Sequence, residues 1–358
     1  MLGFGEWKYA PLQKFIFSSG KTSSQEKLRE PIAPLFTESG TLPSEYTSFF
    51  SNFFISPPKE QTSFFDGISI QRSEIGFEYV VGIMIDNLLS ARKGQVGIDE
   101  SPLVVEAVAE GGITRFLAFF SSRQNTEKVG PIRSARPYFL DFLKPLHGAF
   151  VHAGGSDEVL AELRTLRSIL DIDDGYFSLE NPTFWRDLEY PAPHNLFTSL
   201  AEIRRYITSS KDTNSLSVLI ENIWNFSRIP LSAEKVLKIR TNFSAPEYIA
   251  DWVWDEERES FVRSQESSSL DISVQNLVVM EARMWPIPDD PKGRMKMENI
   301  GTGNILFFQN GSFIRGTWKK SSRDAQIQFF DLDKNPISFL AGKTWIAILD
   351  DLQKLSFL

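Results

Sequence analysis

Between Tyr79 and Ile85 every residue except Gly82 is apolar, and the run stops at Asp86-Asn87. An apolar run of this length, closed by two turn-formers, predicts a buried strand. The runs Arg115-Phe116-Leu117-Ala118-Phe119-Phe120 and Ala149-Phe150-Val151-His152 predict two more. Between the first two lies Ser101-Pro102, which suits a helix start with serine as cap and proline in the first turn. Leu103, Val104, Ala107 and Val108 would then form the apolar stripe of that helix. Glu106 and Glu110 would share another face, and Gly111-Gly112 would end it. A second helix is expected over residues 158–170, with Ser156 as cap and Val159, Leu160, Leu163 and Leu166 as its packing face. A third is expected over 200–208. Strand, crossover helix and strand in this order predict an α/β first domain of layered sheet and helices, over about residues 69–230.

Near Leu231 the pattern changes to many short strand-like runs. Among them are residues 236–240, Tyr248-Ile249-Ala250-Asp251-Trp252-Val253-Trp254, Leu277-Val278-Val279-Met280, Ile305-Leu306-Phe307-Phe308 and Trp345-Ile346-Ala347-Ile348-Leu349. Gln309-Asn310-Gly311-Ser312 is a strong hairpin signal, because Asn-Gly accepts the left-handed backbone of a two-residue turn. A smaller, mostly antiparallel β domain is therefore expected over 236–355. Trp318 and Trp345 are expected to pack within its sheet rather than to form a ligand platform. Residues 1–68 combine Ser, Thr, Pro, Lys and Glu with phenylalanine pairs such as Phe53-Phe54 and Phe64-Phe65. They are expected to form a tether whose phenylalanines dock on the first domain, since so many solvated aromatics favour association.

The chain has 358 residues, enough for two domains, and 42% of them are hydrophobic. A formal charge of -8 gives no general attraction to nucleic acid or to an anionic membrane. No clustered basic face is evident, so a nucleic-acid partner is not expected. Cysteine is absent, which excludes disulfides, thiolate metal sites and a cysteine nucleophile. Residues 1–20 lack the apolar core of a secretory signal, and no stretch is long and apolar enough to span a membrane. No cofactor is expected.

The candidate chemistry concentrates between Asp86 and His194. Arg133 and Arg136 lie in Gly130-Pro131-Ile132-Arg133-Ser134-Ala135-Arg136, and their planar donor forks suit a carboxylate or phosphate. Equally, internal acids such as Asp86, Glu106 or Glu110 can hold them for the sake of the fold. His152 ends a strand directly before Ala153-Gly154-Gly155-Ser156, where loops and backbone amides converge in α/β sheets. His194 sits in Pro191-Ala192-Pro193-His194-Asn195, a proline-stiffened loop. The candidate ligand-binding set is thus Asp86, Glu106, Glu110, Arg133, Arg136, His152 and His194. Asp86, Arg133, His152 and His194 are expected to meet at the mouth of the first domain, with Arg136 close by. Metal ligation by the histidines lacks a supporting spacing. A serine triad lacks the Gly-x-Ser-x-Gly elbow, and Glu106 with Glu110 is weak evidence for a glycosidase pair. The run Asp171, Asp173, Asp174 is expected to be a solvated loop.

Taken together, Val81-Gly82-Ile83-Met84-Ile85-Asp86-Asn87, Glu110-Gly111-Gly112-Ile113-Thr114-Arg115-Phe116, the Gly130 to Arg136 run, His152-Ala153-Gly154-Gly155-Ser156 and Pro193-His194-Asn195 closely resemble the YerB-like family. The resemblance continues through Asn276, Gly301-Thr302-Gly303, Gly311, Gly316-Thr317-Trp318-Lys319 and Gly342-Lys343-Thr344-Trp345, over about residues 75–350. It implies a bacterial protein with an α/β domain followed by a β-rich one, and an envelope-associated lipoprotein outside the cytoplasmic membrane. It implies no assigned reaction and no catalytic residues. Neither a lipobox cysteine nor a signal peptide is visible here, and residues 19–70 would serve as a spacer from an anchor lying further upstream. Three functions stay open: an extracytoplasmic protein binding an anionic or cell-wall-derived group or an envelope component; a hydrolase of cell-wall polymer or peptide using His152 or His194; and a structural or interaction module.

Overall fold

The run that opens the first domain is strand β1 (Val80–Asp86), buried along its whole length. Val81, Ile83 and Ile85 face one core and Val80 and Met84 another. A strand covered on both faces needs apolar residues at every position, which is why this run does not alternate. The computed structural model describes residues 63–68, 78–174, 183–210, 216, 223–228 and 233–357. The tether expected over 1–68 lies outside the described residues apart from 63–68. There Phe64 and Phe65 enter the second core, and Phe65 meets the Phe119 ring at 6.0 Å.

Residues 103–110 are not the expected helix but a strand, β2 (Leu103–Glu110), paired antiparallel with β3 (Ile113–Ser121) across the Gly111-Gly112 turn. Both glycines have positive φ, 53° and 84°. Ser101 caps nothing; its hydroxyl donates to the carbonyls of Leu103 and Phe119. The sequence Leu-Val-Val-Glu-Ala-Val-Ala-Glu is buried almost throughout and rich in β-branched residues, so periodicity alone cannot distinguish it from a buried helix. Helix α1 (Pro137–Leu143) leads to β4 (Ala149–His152), which runs parallel to β1. Helix α2 (Asp157–Leu163) is shorter than expected, because Leu170 starts β5 (Leu170–Asp173), parallel to β4. Helix α3 (Leu200–Ser209) lies where the pattern placed it, with Ser199 accepting from the Glu202 amide as its cap.

The second half supplies β6 (Lys238–Asn242), β7 (Ile249–Asp255), β8 (Ser260–Gln265), β9 (Ile272–Val274) and β10 (Asn276–Glu281). It continues with β11 (Met284–Pro286), β12 (Met295–Met297), β13 (Gly301–Gln309), β14 (Ser312–Lys320), β15 (Gln328–Asp331), β16 (Thr344–Leu349) and β17 (Leu355–Phe357). Only some of these strands form sheets of their own; the others extend the sheet of the first half. The main sheet has 11 strands, ordered β15-β14-β13-β10-β16-β2-β3-β1-β4-β5, with Glu234–Lys235 added beside β14. The second-half strand β16 pairs parallel with first-half strand β2 on one side and with β10 on the other. A five-stranded antiparallel sheet, β9-β8-β7-β6-β17, shares one core with the main sheet and α3, while α1 and α2 share the opposite core. The first half is thus a mixed α/β layer of sheet and helices, and the second is smaller and mostly antiparallel β. Trp318 and Trp345 are 2% and 1% exposed, packed in the sheet as expected.

Candidate functional site

Parallel strands β1 and β4 run side by side as far as the Ile83–Val151 pair. Beyond it, residues 131–135 enter between their ends. The Arg133 amide donates to the Met84 carbonyl at 2.9 Å, and the Asp86 amide donates to the Pro131 carbonyl at 2.9 Å. On the other side the Ala153 amide donates to Arg133 and the Ala135 amide to Gly154. The Ile132 amide donates to Leu196 at 2.7 Å, which ties in the loop that carries His194. Backbone bonds therefore join the three motifs that lie apart in the sequence, and Asp86 and His152 stand at the same edge of the sheet.

At this edge the Asp86 carboxylate is 1% exposed and engaged on both oxygens. Oδ1 accepts from the Leu88 amide at 2.9 Å. Oδ2 lies 2.7 Å from His194 Nδ1 and 2.7 Å from Arg133 Nε. The Arg133 contact is an ion pair whose N–H is not aimed at the oxygen, since Nε satisfies no hydrogen bond. Burial pushes the Asp86 carboxyl up, but the His194 hydrogen bond, the Arg133 charge and the Leu88 amide outweigh it, and its pKa falls below 3.8. Asp86 is thereby held as a carboxylate. Among the described residues, neither the Arg133 terminal nitrogens nor His194 Nε2 has a hydrogen-bond partner, and the Arg133 side chain is 24% exposed.

Arg136 does not join this trio. Its Nη2 donates to Glu110 and its Nη1 to the Ala135 carbonyl. Glu110 also receives Arg115, which sits opposite Asp86 in the β1–β3 register and donates to the Ser134 carbonyl at 2.8 Å. Three guanidinium groups, Arg115, Arg133 and Arg136, thus share two carboxylates, Asp86 and Glu110. Within this group of five side chains the guanidinium groups outnumber the carboxylates by one.

The other two candidates go elsewhere. His152 is fully buried, with Nε2 2.8 Å from Asp171 and Nδ1 2.9 Å from the Gly154 carbonyl. Asp171 and Asp173 lie on β5, not on the expected solvated loop, and Asp173 also accepts from the Gly154 amide. Glu106 is fully buried between the two sheets, where it takes Arg263 at 3.1 Å, Trp345 Nε1 at 3.2 Å and Thr114 at 3.0 Å. Arg263 packs over the rings of Phe116, Trp252 and Trp345. Sequence reasoning passed over Arg263, Asp171 and Asn87, which bonds both Glu106 and Thr114. The position of Asn87, directly after Asp86 in a matching motif, was the available signal.

Among the described residues no group of three or more His, Asp or Glu side chains is placed to hold a metal ion, and no helix is long and apolar enough to cross a membrane. Residues 67–213 match the family model described as "Protein of unknown function (DUF3048) N-terminal domain", and residues 239–346 match the C-terminal domain of the same family. The chain is 30% identical over 292 residues to "Putative lipoprotein YerB" of Bacillus subtilis (strain 168), an alignment spanning 77% of this chain and 82% of that protein. A crystal structure of YerB protein from Bacillus subtilis is similar with a TM-score of 0.72 at 27% identity, covering 83% of this chain and 99% of that one.

Proposed function

The chain belongs to the bacterial YerB-like DUF3048 family, and on that premise we propose that it is an extracytoplasmic, envelope-associated protein that binds an anionic, cell-wall-derived group at Asp86, Arg133 and His194. The placement outside the membrane rests on the likeness to a protein named as a lipoprotein. One observation supports the ligand class above others: the Arg133 guanidinium is held beside a buried carboxylate by charge, while its two terminal nitrogens stay unpaired on a side chain that is partly exposed. A planar fork with two free donors fits two oxygens of a carboxylate or phosphate. Arg115, Arg133 and Arg136 outnumber the two carboxylates they share, which favours an anion beside Arg133, with Arg136 contributing field rather than contact. Titration of the full chain with inorganic phosphate and with a short peptide ending in a free carboxylate tests the assignment. Saturable binding that weakens with salt and disappears in Arg133→Ala is expected. No saturation by either probe, or equal binding by the variant, overturns it.

A second function, hydrolysis of cell-wall polymer or peptide, is favoured by a separate feature of His194. Asp86 fixes Nδ1, and Nε2 is left without a partner, the arrangement of a general base oriented by a carboxylate. His152 fits this role poorly, with both ring nitrogens engaged. Release of soluble fragments from purified cell wall, abolished in His194→Gln, is the outcome that would favour hydrolysis over binding. The capture of Arg136 by Glu110 is what a structural module would also need, and unchanged binding in Arg133→Ala would leave that module standing.

A further inference from the structure

A separate pocket of about 280 Å³ opens between α1, α2 and the β11–β12 hairpin, beginning at Pro137, one residue past Arg136. Its floor is a buried polar pair. Asn299, 3% exposed, donates its two amide hydrogens to the Tyr138 carbonyl at 3.2 Å and to Asp141 Oδ2 at 3.3 Å. Arg323 Nε lies 2.5 Å from the other Asp141 oxygen. Both Asp141 oxygens are thus taken by the protein, while the Asn299 side-chain oxygen accepts from no described residue. Since that oxygen is not sealed from solvent, it is an acceptor open to the pocket.

At the rim stands Trp285, 36% exposed and steadied by the Arg283 guanidinium 5.3 Å from its ring centre. Glu158 and Lys296 complete the rim, both exposed and without a hydrogen-bond partner among the described residues. The charges of the lining cancel, Asp141 and Glu158 against Lys296 and Arg323. The rim therefore carries separated charges of both signs, each able to bond a hydroxyl. An exposed indole beside an acceptor, a carboxylate and an ammonium group suits a flat, uncharged molecule that has one apolar face and a rim of hydroxyls.

We propose that this pocket binds one or two rings of a neutral saccharide, the sugar face lying on Trp285 and its hydroxyls bonding Asn299 Oδ1, Glu158 and Lys296. The assignment does not rest on the anion site. The probes are the disaccharide and tetrasaccharide of β-1,4-linked N-acetylglucosamine, with cellobiose and maltotetraose as neutral hexose counterparts, titrated calorimetrically into the full chain. Expected is saturable binding of at least one series, insensitive to added salt because no charge is neutralised. Trp285→Ala should weaken it by about tenfold or more, the scale for removing an aromatic anchor. Trp285→Phe should restore most of it, and Arg133→Ala should leave it unchanged. Absence of saturation by every saccharide, equal affinity in Trp285→Ala, or displacement of the saccharide by inorganic phosphate overturns the proposal. Because Trp285 is on the surface, its variants should keep the wild-type melting curve, so a lost signal reports on the site.

Discussion

His194 Nδ1 and Asp86 Oδ2, which lie 108 positions apart in the chain, stand 2.7 Å apart at the edge of the main sheet. The contact belongs to the backbone arrangement around it. Residues 131–135 hold the end of β1 on one side, and the Ile132 amide holds the His194 loop through Leu196.

Replacing Asp86 by Asn should cost about 2–3 kcal/mol near neutral pH, the scale for hydrogen bonds to a charged group. The pH dependence has a definite sign. Asp86 titrates below 3.8 when folded, so its stabilisation is full above the unfolded value and is lost as pH falls through the lowered folded value. Asp86→Asn should therefore show a flatter acid limb than the wild type when urea midpoints are followed downward from about pH 5. Parallel curves would mean that Asp86 gains no net stabilisation from His194 and Arg133.

Truncating Arg263 should cost far more stability than truncating Arg133. Arg263→Ala strands Glu106 as an unpaired buried charge between the sheets and should cost about 3–5 kcal/mol. Adding Glu106→Leu to that variant should recover part of the loss, because the pair is costly mainly when half of it is missing. Arg133→Ala, at a partly exposed pair, should cost within about 1 kcal/mol. Denaturant midpoints of the four proteins decide the matter, and similar costs for the two arginines would contradict it.

Gly303 lies in the matching Gly301-Thr302-Gly303 motif because a neighbour needs its space. A Cβ there would fall 2.5 Å from Trp318 Nε1 and 2.8 Å from the Glu281 carbonyl, the two ends of a 2.7 Å hydrogen bond. Gly303→Ala should destabilise the protein by about 1–3 kcal/mol through overpacking and loss of that bond. Thermal unfolding measures it, and a melting point equal to the wild type would show that the strands give way freely.

His152→Asn should lower stability by about 1–3 kcal/mol, since it strips partners from Asp171 and the Gly154 carbonyl. Phosphate affinity at the Arg133 edge should not change. A variant that folds as stably as the wild type yet loses phosphate binding would move His152 from the framework into the binding site.

What the sequence disclosed depended on how local the determining contacts are. Strand β1 and the Asn310-Gly311 turn were legible because the cause lies within a few residues; both turn residues have positive φ, 49° and 59°. Strand β2 was not, because a run buried on both faces loses the alternation that marks a strand, and a serine–proline start imitates a helix. Asp171, Asp173 and Asp174 looked like a solvated loop after a helix ending at Leu170, since in a strand of four residues only the pairing with β4 reveals it. Of the four charged candidates expected to meet, Asp86, Arg133 and His194 do so, whereas His152, also at a strand end, turns to Asp171 and the Gly154 carbonyl. Glu106 could not be assigned, because Arg263 comes 157 residues later and from another sheet.

The placement of β16 between β2 and β10 bears on how the protein is made. A ribosome delivers β2 long before Thr344–Leu349 emerges, so the nascent first half holds an apolar strand with one edge bare throughout the synthesis of the second. Such an edge invites pairing with a neighbouring nascent chain. The element that closes the middle of the sheet is translated after every other strand of that sheet, and the chain must be kept from premature partners until it arrives.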